Sequence, residues 1–218
     1  METTIELPVR GVIPNFGEGV QAPPMLTSAG EQLVAQGLPA LASIVAAGDS
    51  WMARTTALAP VIAIPSTAAL FALYNGEAQK SLIIDSAFLT VVVVTAAVQG
   101  HGLLMNVSTA KSATAPAGTA LTPLPMRANQ AFSGAEQAMH TATLTAAAGG
   151  AATNWVPIGR GTVPSNTLQI GSCIDVPLGN IIIPPGGIFA LTALAGAATA
   201  ASVHVGCRWH KRILPSVT

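Results

Sequence analysis

Residues 174–212 read Ile174-Asp-Val-Pro-Leu-Gly-Asn-Ile-Ile-Ile-Pro-Pro-Gly-Gly-Ile-Phe-Ala-Leu191, then an Ala/Gly/Thr segment, then Ala201-Ser-Val-His-Val-Gly-Cys-Arg-Trp-His-Lys-Arg212. Leu178-Gly179-Asn180 and Pro184-Pro185-Gly186-Gly187 carry turn chemistry, because proline presets the backbone at the second position of a turn and glycine tolerates the positive φ that follows. Between these breaks lie short runs of Ile, Val, Leu and Phe, which suit strands. The last run alternates strictly. Val203, Val205, Cys207 and Trp209 share one face, and His204, Gly206, Arg208 and His210 share the other. That is the pattern of a half-buried strand closing an antiparallel sheet.

The same signals recur upstream. Strands are predicted over 50–56, 61–64, 68–74, 81–94, 102–108, 137–146, 155–157, 167–170, 174–176, 181–183, 188–194 and 202–210, with Asn75-Gly76 a turn between two of them. Residues 81–94 are too long and too apolar for one exposed strand, so burial on both faces is expected. Residues 109–125, rich in Pro, Thr and Ala, read as a surface loop, and 193–201 as a connecting loop. Many short strands at close spacing predict an all-β, jelly-roll-like antiparallel sandwich of about eight principal strands.

Residues 1–48 form a different region. Proline and glycine without periodicity predict an extended N-terminal arm ahead of a β-sandwich domain over 49–218. Ser28-Ala-Gly-Glu31 fits a capping box for a short helix over 29–36 stopped by Gly37, and 38–47 is compatible with helix or strand. The arm carries Ile5, Leu7, Val9, Val12, Ile13 and Phe16, apolar side chains suited to an ordered contact with a partner.

Half the residues are hydrophobic and only 8% are charged, against about 25% in ordinary soluble domains. Net charge is zero. A free monomer so poor in charge would self-associate, which points to a surface buried in an assembly. A mean hydropathy of +0.56 raises a membrane protein as the competing class. The longest solid apolar run, 87–98, is twelve residues, short of the roughly 20 that a spanning helix needs. The N-terminus has neither the basic patch nor the apolar core of a signal peptide, so secretion by that route is not expected.

Candidate chemistry is sparse. Beyond residue 50 the carboxylates are Glu77, Asp85, Glu136 and Asp175, scattered along the chain and read as turn or capping groups rather than a catalytic pair. His204 and His210 share a strand face, but six residues at about 3.3 Å each set them near 20 Å apart, too far for one metal. His101 and His140 have no companion. Gly-x-Ser-x-Gly is missing, and the glycines at 149–150 and 159–161 lack the strand–loop–helix setting of a phosphate loop. Cys173 and Cys207 have no Cys-x-x-Cys spacing. They read as buried small hydrophobes, with a disulfide between them left open. Arg208, Lys211 and Arg212 form the one basic cluster. Three charges on a neutral chain are a poor handle for nucleic acid, and a solvated strand end or a salt-bridged subunit contact fits better. No catalytic, cofactor or metal residue is assigned, and the chain is read as non-enzymatic.

Several segments together resemble a family of small structural proteins of tailed bacteriophages: Ala72-Leu-Tyr-Asn75 followed by Ser81-Leu-Ile-Ile-Asp85, Trp155-Val-Pro-Ile-Gly159, Ile182-Ile-Pro-Pro-Gly-Gly187 and Val205-Gly-Cys-Arg-Trp-His210. The resemblance covers roughly residues 40–212 and implies an antiparallel β-sandwich with a place in the virion. The expectation is a decoration or cement protein of a phage head, homotrimeric, assembled in the host cytoplasm and bridging copies of the major capsid protein, without cofactor, nucleic-acid or membrane partner. A tail or fibre module that binds a host-surface receptor is the alternative. Such a reader is expected to expose aromatics, and only 4% of this chain is aromatic. A cupin-like metal enzyme shares the fold class but needs a ligand cluster that the sequence does not offer.

Overall fold

The computed structural model describes residues 40–94, 99–144, 154–163, 173–195 and 201–214. The chain divides into two compact units, Met1–Ala40 and Leu41–Thr218, ahead of the boundary expected at 48. The arm, the helix over 29–36 and the strand over 167–170 lie outside the described residues. Residues 40–47 are helix (α1, Ala40–Ala47), which settles the ambiguity left by the sequence.

Among the described residues eleven strands follow: β1 (Ser50–Arg54), β2 (Ala68–Tyr74), β3 (Ser81–Val94), β4 (Gln99–Val107), β5 (Ala117–Leu121), β6 (Leu124–Pro125), β7 (Gln137–Thr143), β8 (Val156–Val163), β9 (Cys173–Ile183), β10 (Ile188–Ala195) and β11 (Ala201–Arg212). They build two antiparallel sheets packed as a sandwich, ordered β6-β1-β11-β3-β9 and β5-β7-β2-β10-β4-β8. With β5, β6 and β7 set aside, β1-β11-β3-β9 and β2-β10-β4-β8 remain, and β1 to β4 and β8 to β11 each alternate between the sheets. That is the arrangement of an eight-stranded jelly roll. The extra strands come from the 108–155 connection, which widens both sheets on one side.

The alternation read in β11 holds. Val203, Val205, Cys207 and Trp209 are fully buried between the sheets, against Trp51, Phe71, Leu73, Leu103, Phe189 and Leu191. β3 lies centrally between β11 and β9 and turns Leu82, Ile84, Ala87, Leu89 and Val91 into the same core. Its inward positions change from even to odd between Ile84 and Ala87. A one-residue slip would turn every later side chain outward, so the strand must absorb one residue, and it does so at Asp85. β11 pairs Trp209 with Ile84 and Arg208 with Ser86, passing over Asp85 as a bulge.

β9 shows the largest departure from the sequence reading. Residues 174–176 and 181–183 are one continuous strand, and Leu178-Gly179-Asn180 is no turn. Ile181 pairs Ile84 and Pro177 pairs Ser86, so these three residues bulge opposite Asp85. Gly179 has φ +50: the same glycine chemistry that serves a turn serves a bulge. By contrast, Pro184-Pro185-Gly186-Gly187 is the expected turn, with Gly186 at φ +80 and the Gly187 N–H donating to the Pro184 carbonyl at 2.8 Å. It is a type II turn that carries the chain from one sheet to the other.

Asn75-Gly76 is likewise an inter-sheet connection rather than a hairpin. Asn75 is fully buried, donating from Nδ2 to the carbonyls of Lys80 and Ile183 at 2.9 and 2.8 Å and accepting from the Glu77 N–H at 3.0 Å. Residues 109–125 are not all loop, since they hold β5 and β6. Part of this insertion covers the outer face of the second sheet. Tyr74 donates to the Ser112 carbonyl at 3.2 Å, and Trp155, Leu144 and Met139 bury a second apolar cluster there with Leu104 and Ile188.

Candidate functional site

The bulge at Asp85 organises a polar cluster on the first sheet. Ser50, His210 and Asp85 come from three adjacent strands, β1, β11 and β3, on the outer face of the first sheet. Ser50 and His210 are direct cross-strand partners. The bulge re-aims Asp85 so that its Oδ1 lies 2.7 Å from His210 Nδ1, with both side chains largely buried. Two residues back on β11, Arg208 reaches Asp175 of β9 at 3.5 Å and lies 6.0 Å from the Phe88 ring centre. Phe88 can lie flat there because Gly206 has no side chain: a Cβ at 206 would run into the Ala53 carbonyl and the Phe88 ring. Beside this network is a cavity of about 460 Å³ lined by Val45, Ser50, Asp85, Ser86, Met126, Asp175, Pro177 and Arg208.

Serine, histidine and aspartate side by side are the residue types of a nucleophilic triad, with Asp85 orienting the imidazole. The Ser50 hydroxyl donates to the Trp209 carbonyl at 3.4 Å.

A second cluster forms where β11 ends. Lys211 is 8% exposed, and its Nζ donates to Glu77 Oε1 at 3.2 Å and Glu136 Oε2 at 3.4 Å. It also lies 5.8 Å from the Trp51 ring centre. Glu136 Oε1 accepts from Trp209 Nε1 at 3.4 Å. The two carboxyls are driven apart. Burial pushes Glu136 above the ordinary carboxylate value, outweighing the pull of the ammonium. Burial opposes ionisation of Glu77 as well, but the Ala135 N–H and Lys211 outweigh it and hold its carboxyl below the ordinary value. The Lys211 ammonium thus lies between two carboxyls whose proton affinities are shifted in opposite directions.

The basic residues Arg208, Lys211 and Arg212 therefore do not act as one surface. Lys211 points inward in phase with Trp209 and is a buried structural cation, which removes it from any partner-binding patch. Arg208 is half-exposed and paired, and Arg212 is exposed. Ile5, Leu7, Val9, Val12, Ile13 and Phe16 lie outside the described residues. The four carboxylates read as scattered are two groups of two, Glu77 with Glu136 and Asp85 with Asp175. Strand register, which no local motif encodes, brings them together.

His204 Nδ1 donates to the Thr55 carbonyl at 2.8 Å, on the same strand as His210 but in a separate network. His101 is 3% exposed with both ring nitrogens unpartnered, and burial holds it below the usual imidazole value. Among the described residues no three His, Cys, Asp or Glu side chains converge as a metal site, and no helix is long and apolar enough to cross a membrane. Both cysteines are free. Cys207 is buried, as expected, whereas Cys173 is exposed because it opens the edge strand β9.

No protein-family model, curated protein or solved structure matches this chain. A functional reading rests on its own residues.

Proposed function

We propose that the protein is a non-enzymatic structural subunit of a phage virion, a decoration or cement protein that bridges copies of the major capsid protein on the outside of the head. The observation that carries this reading is the state of the domain's edges and ends. β5, Ala117-Gly-Thr-Ala-Leu121, closes the second sheet as an edge strand that is exposed over most of its length and has no charge or proline. Natural edge strands that face solvent are usually guarded by such residues. Ile62, Ile64, Leu124, Val156, Ile182 and Ile213 are each between 48% and 65% exposed. Single exposed apolar residues are ordinary, but on a chain with 8% charged residues they leave little to keep separate copies apart. In a closed oligomer seated on a shell the same features become contacts, and main-chain groups at an open edge can pair with a neighbour's strand.

The segment resemblance supports the same placement, and the jelly roll is compatible with it while hosting many other functions. The N-terminal apolar residues Ile5, Leu7, Val9, Val12, Ile13 and Phe16 would strap onto a neighbouring subunit, and Arg208 and Arg212 would sit at the rim of a contact. The experiment is to add purified protein back to shells that lack it, with and without residues 1–26, and to follow co-sedimentation. Binding by the full chain and a marked loss for the truncated one support the reading, provided the truncated domain retains its unfolding transition. Failure of the full chain to bind overturns it.

A further inference from the structure

The cavity beside the Asp85 bulge holds polar groups that the fold leaves without partners. Ser86 lines it, is 7% exposed, and its hydroxyl makes no hydrogen bond. Arg208 Nε is buried and unpartnered as well, while its Nη1 is held by Asp175 at 3.5 Å. Ser86 and Arg208 are cross-strand partners in β3 and β11, so both open groups rise from one spot on the sheet. Buried polar groups are nearly always hydrogen-bonded. Two open ones at the same spot point to an occupant.

The chemistry of the lining selects its class. Arg208 is matched in place by Asp175 at 3.5 Å, and Asp85 Oδ1 is engaged by His210 Nδ1 at 2.7 Å. An anion would face the Asp85 and Asp175 carboxylates, and a cation would compete with Arg208 for Asp175. A neutral occupant does neither, yet it must accept a hydrogen from Arg208 Nε and exchange hydrogen bonds with Ser86, Ser50 and the Asp85 carboxylate. A hydroxyl both donates and accepts, and a set of adjacent hydroxyls meets all of these groups at once. Val45, Met126 and Pro177 supply an apolar wall for the C–H face of a ring. About 460 Å³ falls within the size range of small-molecule sites. We infer that this cavity binds a neutral polyhydroxylated ligand, a sugar of monosaccharide size. The inference goes beyond the structural role and does not depend on it.

The test uses the intact protein, isotope-labelled for amide NMR. It is titrated separately with the methyl glycosides of glucose, galactose, mannose and N-acetylglucosamine, each taken to about 50 mM, above the millimolar Kd that a few hydrogen bonds support. At least one glycoside is expected to shift the amides of Ser50, Ser86, Asp175 and Arg208 saturably. Ser86→Ala and Arg208→Lys should each weaken that binding about five- to tenfold, the loss of one hydrogen bond. Should Arg208→Lys disturb the fold, Ser86→Ala and the wild-type shift map carry the test. The inference is overturned if no glycoside gives a saturable shift, as for a cavity that holds water alone. It is equally overturned if the shifts map elsewhere, or if Ser86→Ala binds as tightly as wild type.

Discussion

Replacing Lys211 with methionine isolates the buried charge cluster, since methionine keeps the length of the chain that lies against Trp51 and removes only the ammonium. In the native protein Nζ lies 3.2 Å from Glu77 and 3.4 Å from Glu136, and the Glu136 side chain has no exposed surface. Removing one partner from a buried ion pair costs about 3–5 kcal/mol. Glu77 is about one-fifth exposed and partly solvated, so the lower end, about 3 kcal/mol near pH 8, is expected. The cost should depend on pH with a definite sign. Without the ammonium Glu136 retains its proton to still higher pH. A carboxyl whose folded pKa is raised above the ordinary 4.5 contributes stability that is present below that value and is lost as pH rises through the folded pKa. The variant should therefore lose least at pH 5 and most at pH 8. Adding Glu136→Gln should recover much of the loss at pH 8, because an amide leaves one carboxylate where two faced each other. Urea unfolding of wild type, single and double variants at pH 5 and pH 8 measures this. A loss below about 1 kcal/mol at both pH values, or one larger at pH 5, would refute the assignment of Lys211 as a buried counter-charge.

Three other substitutions and reactions test the fold that positions these groups. Trp209→Ala removes a side chain with no exposed surface and should cost about 3–5 kcal/mol in chemical denaturation; a negligible change would contradict the inward register of β11. Gly206→Ala forces a methyl group against the Ala53 carbonyl and the Phe88 ring, and about 2 kcal/mol of destabilisation is expected from overpacking, with wild-type stability as the opposing result. Burial pushes the Cys207 thiol well above its ordinary pKa, with Asp85 adding to the effect, whereas Cys173 is exposed. A thiol reagent should accordingly label one cysteine quickly in the native protein and the second only after unfolding. Equal rates for both would show that Cys207 is not enclosed.

How much of this was legible in the sequence depends on whether the signal was local. β11 was readable because Val203, Val205, Cys207 and Trp209 repeat every second residue, and β2 and β3 because their apolar runs end at turn residues. β5 was not, since Ala117-Gly-Thr-Ala-Leu121 contains neither alternation nor a run of branched side chains, and its pairing with β7 is a tertiary event. Leu178-Gly179-Asn180 was misread because a glycine at positive φ signals a turn and a bulge alike. A parity argument could have found the bulge: in β3 the inward residues pass from Ile84 to Ala87, which no straight strand permits. The charged and polar clusters lie beyond any local reading. Glu77 precedes β3 whereas Glu136 lies within the 108–155 insertion, and Ser50, Asp85 and His210 stand on three strands whose neighbours follow from jelly-roll order.

The proposed role is tested most directly by quantifying this protein in purified particles against the major shell protein. The account predicts many copies in a fixed stoichiometric ratio to the shell, as symmetric bridging of its subunits requires. A few copies per particle would contradict a bridging role and favour the tail, and absence from particles would contradict the virion assignment itself.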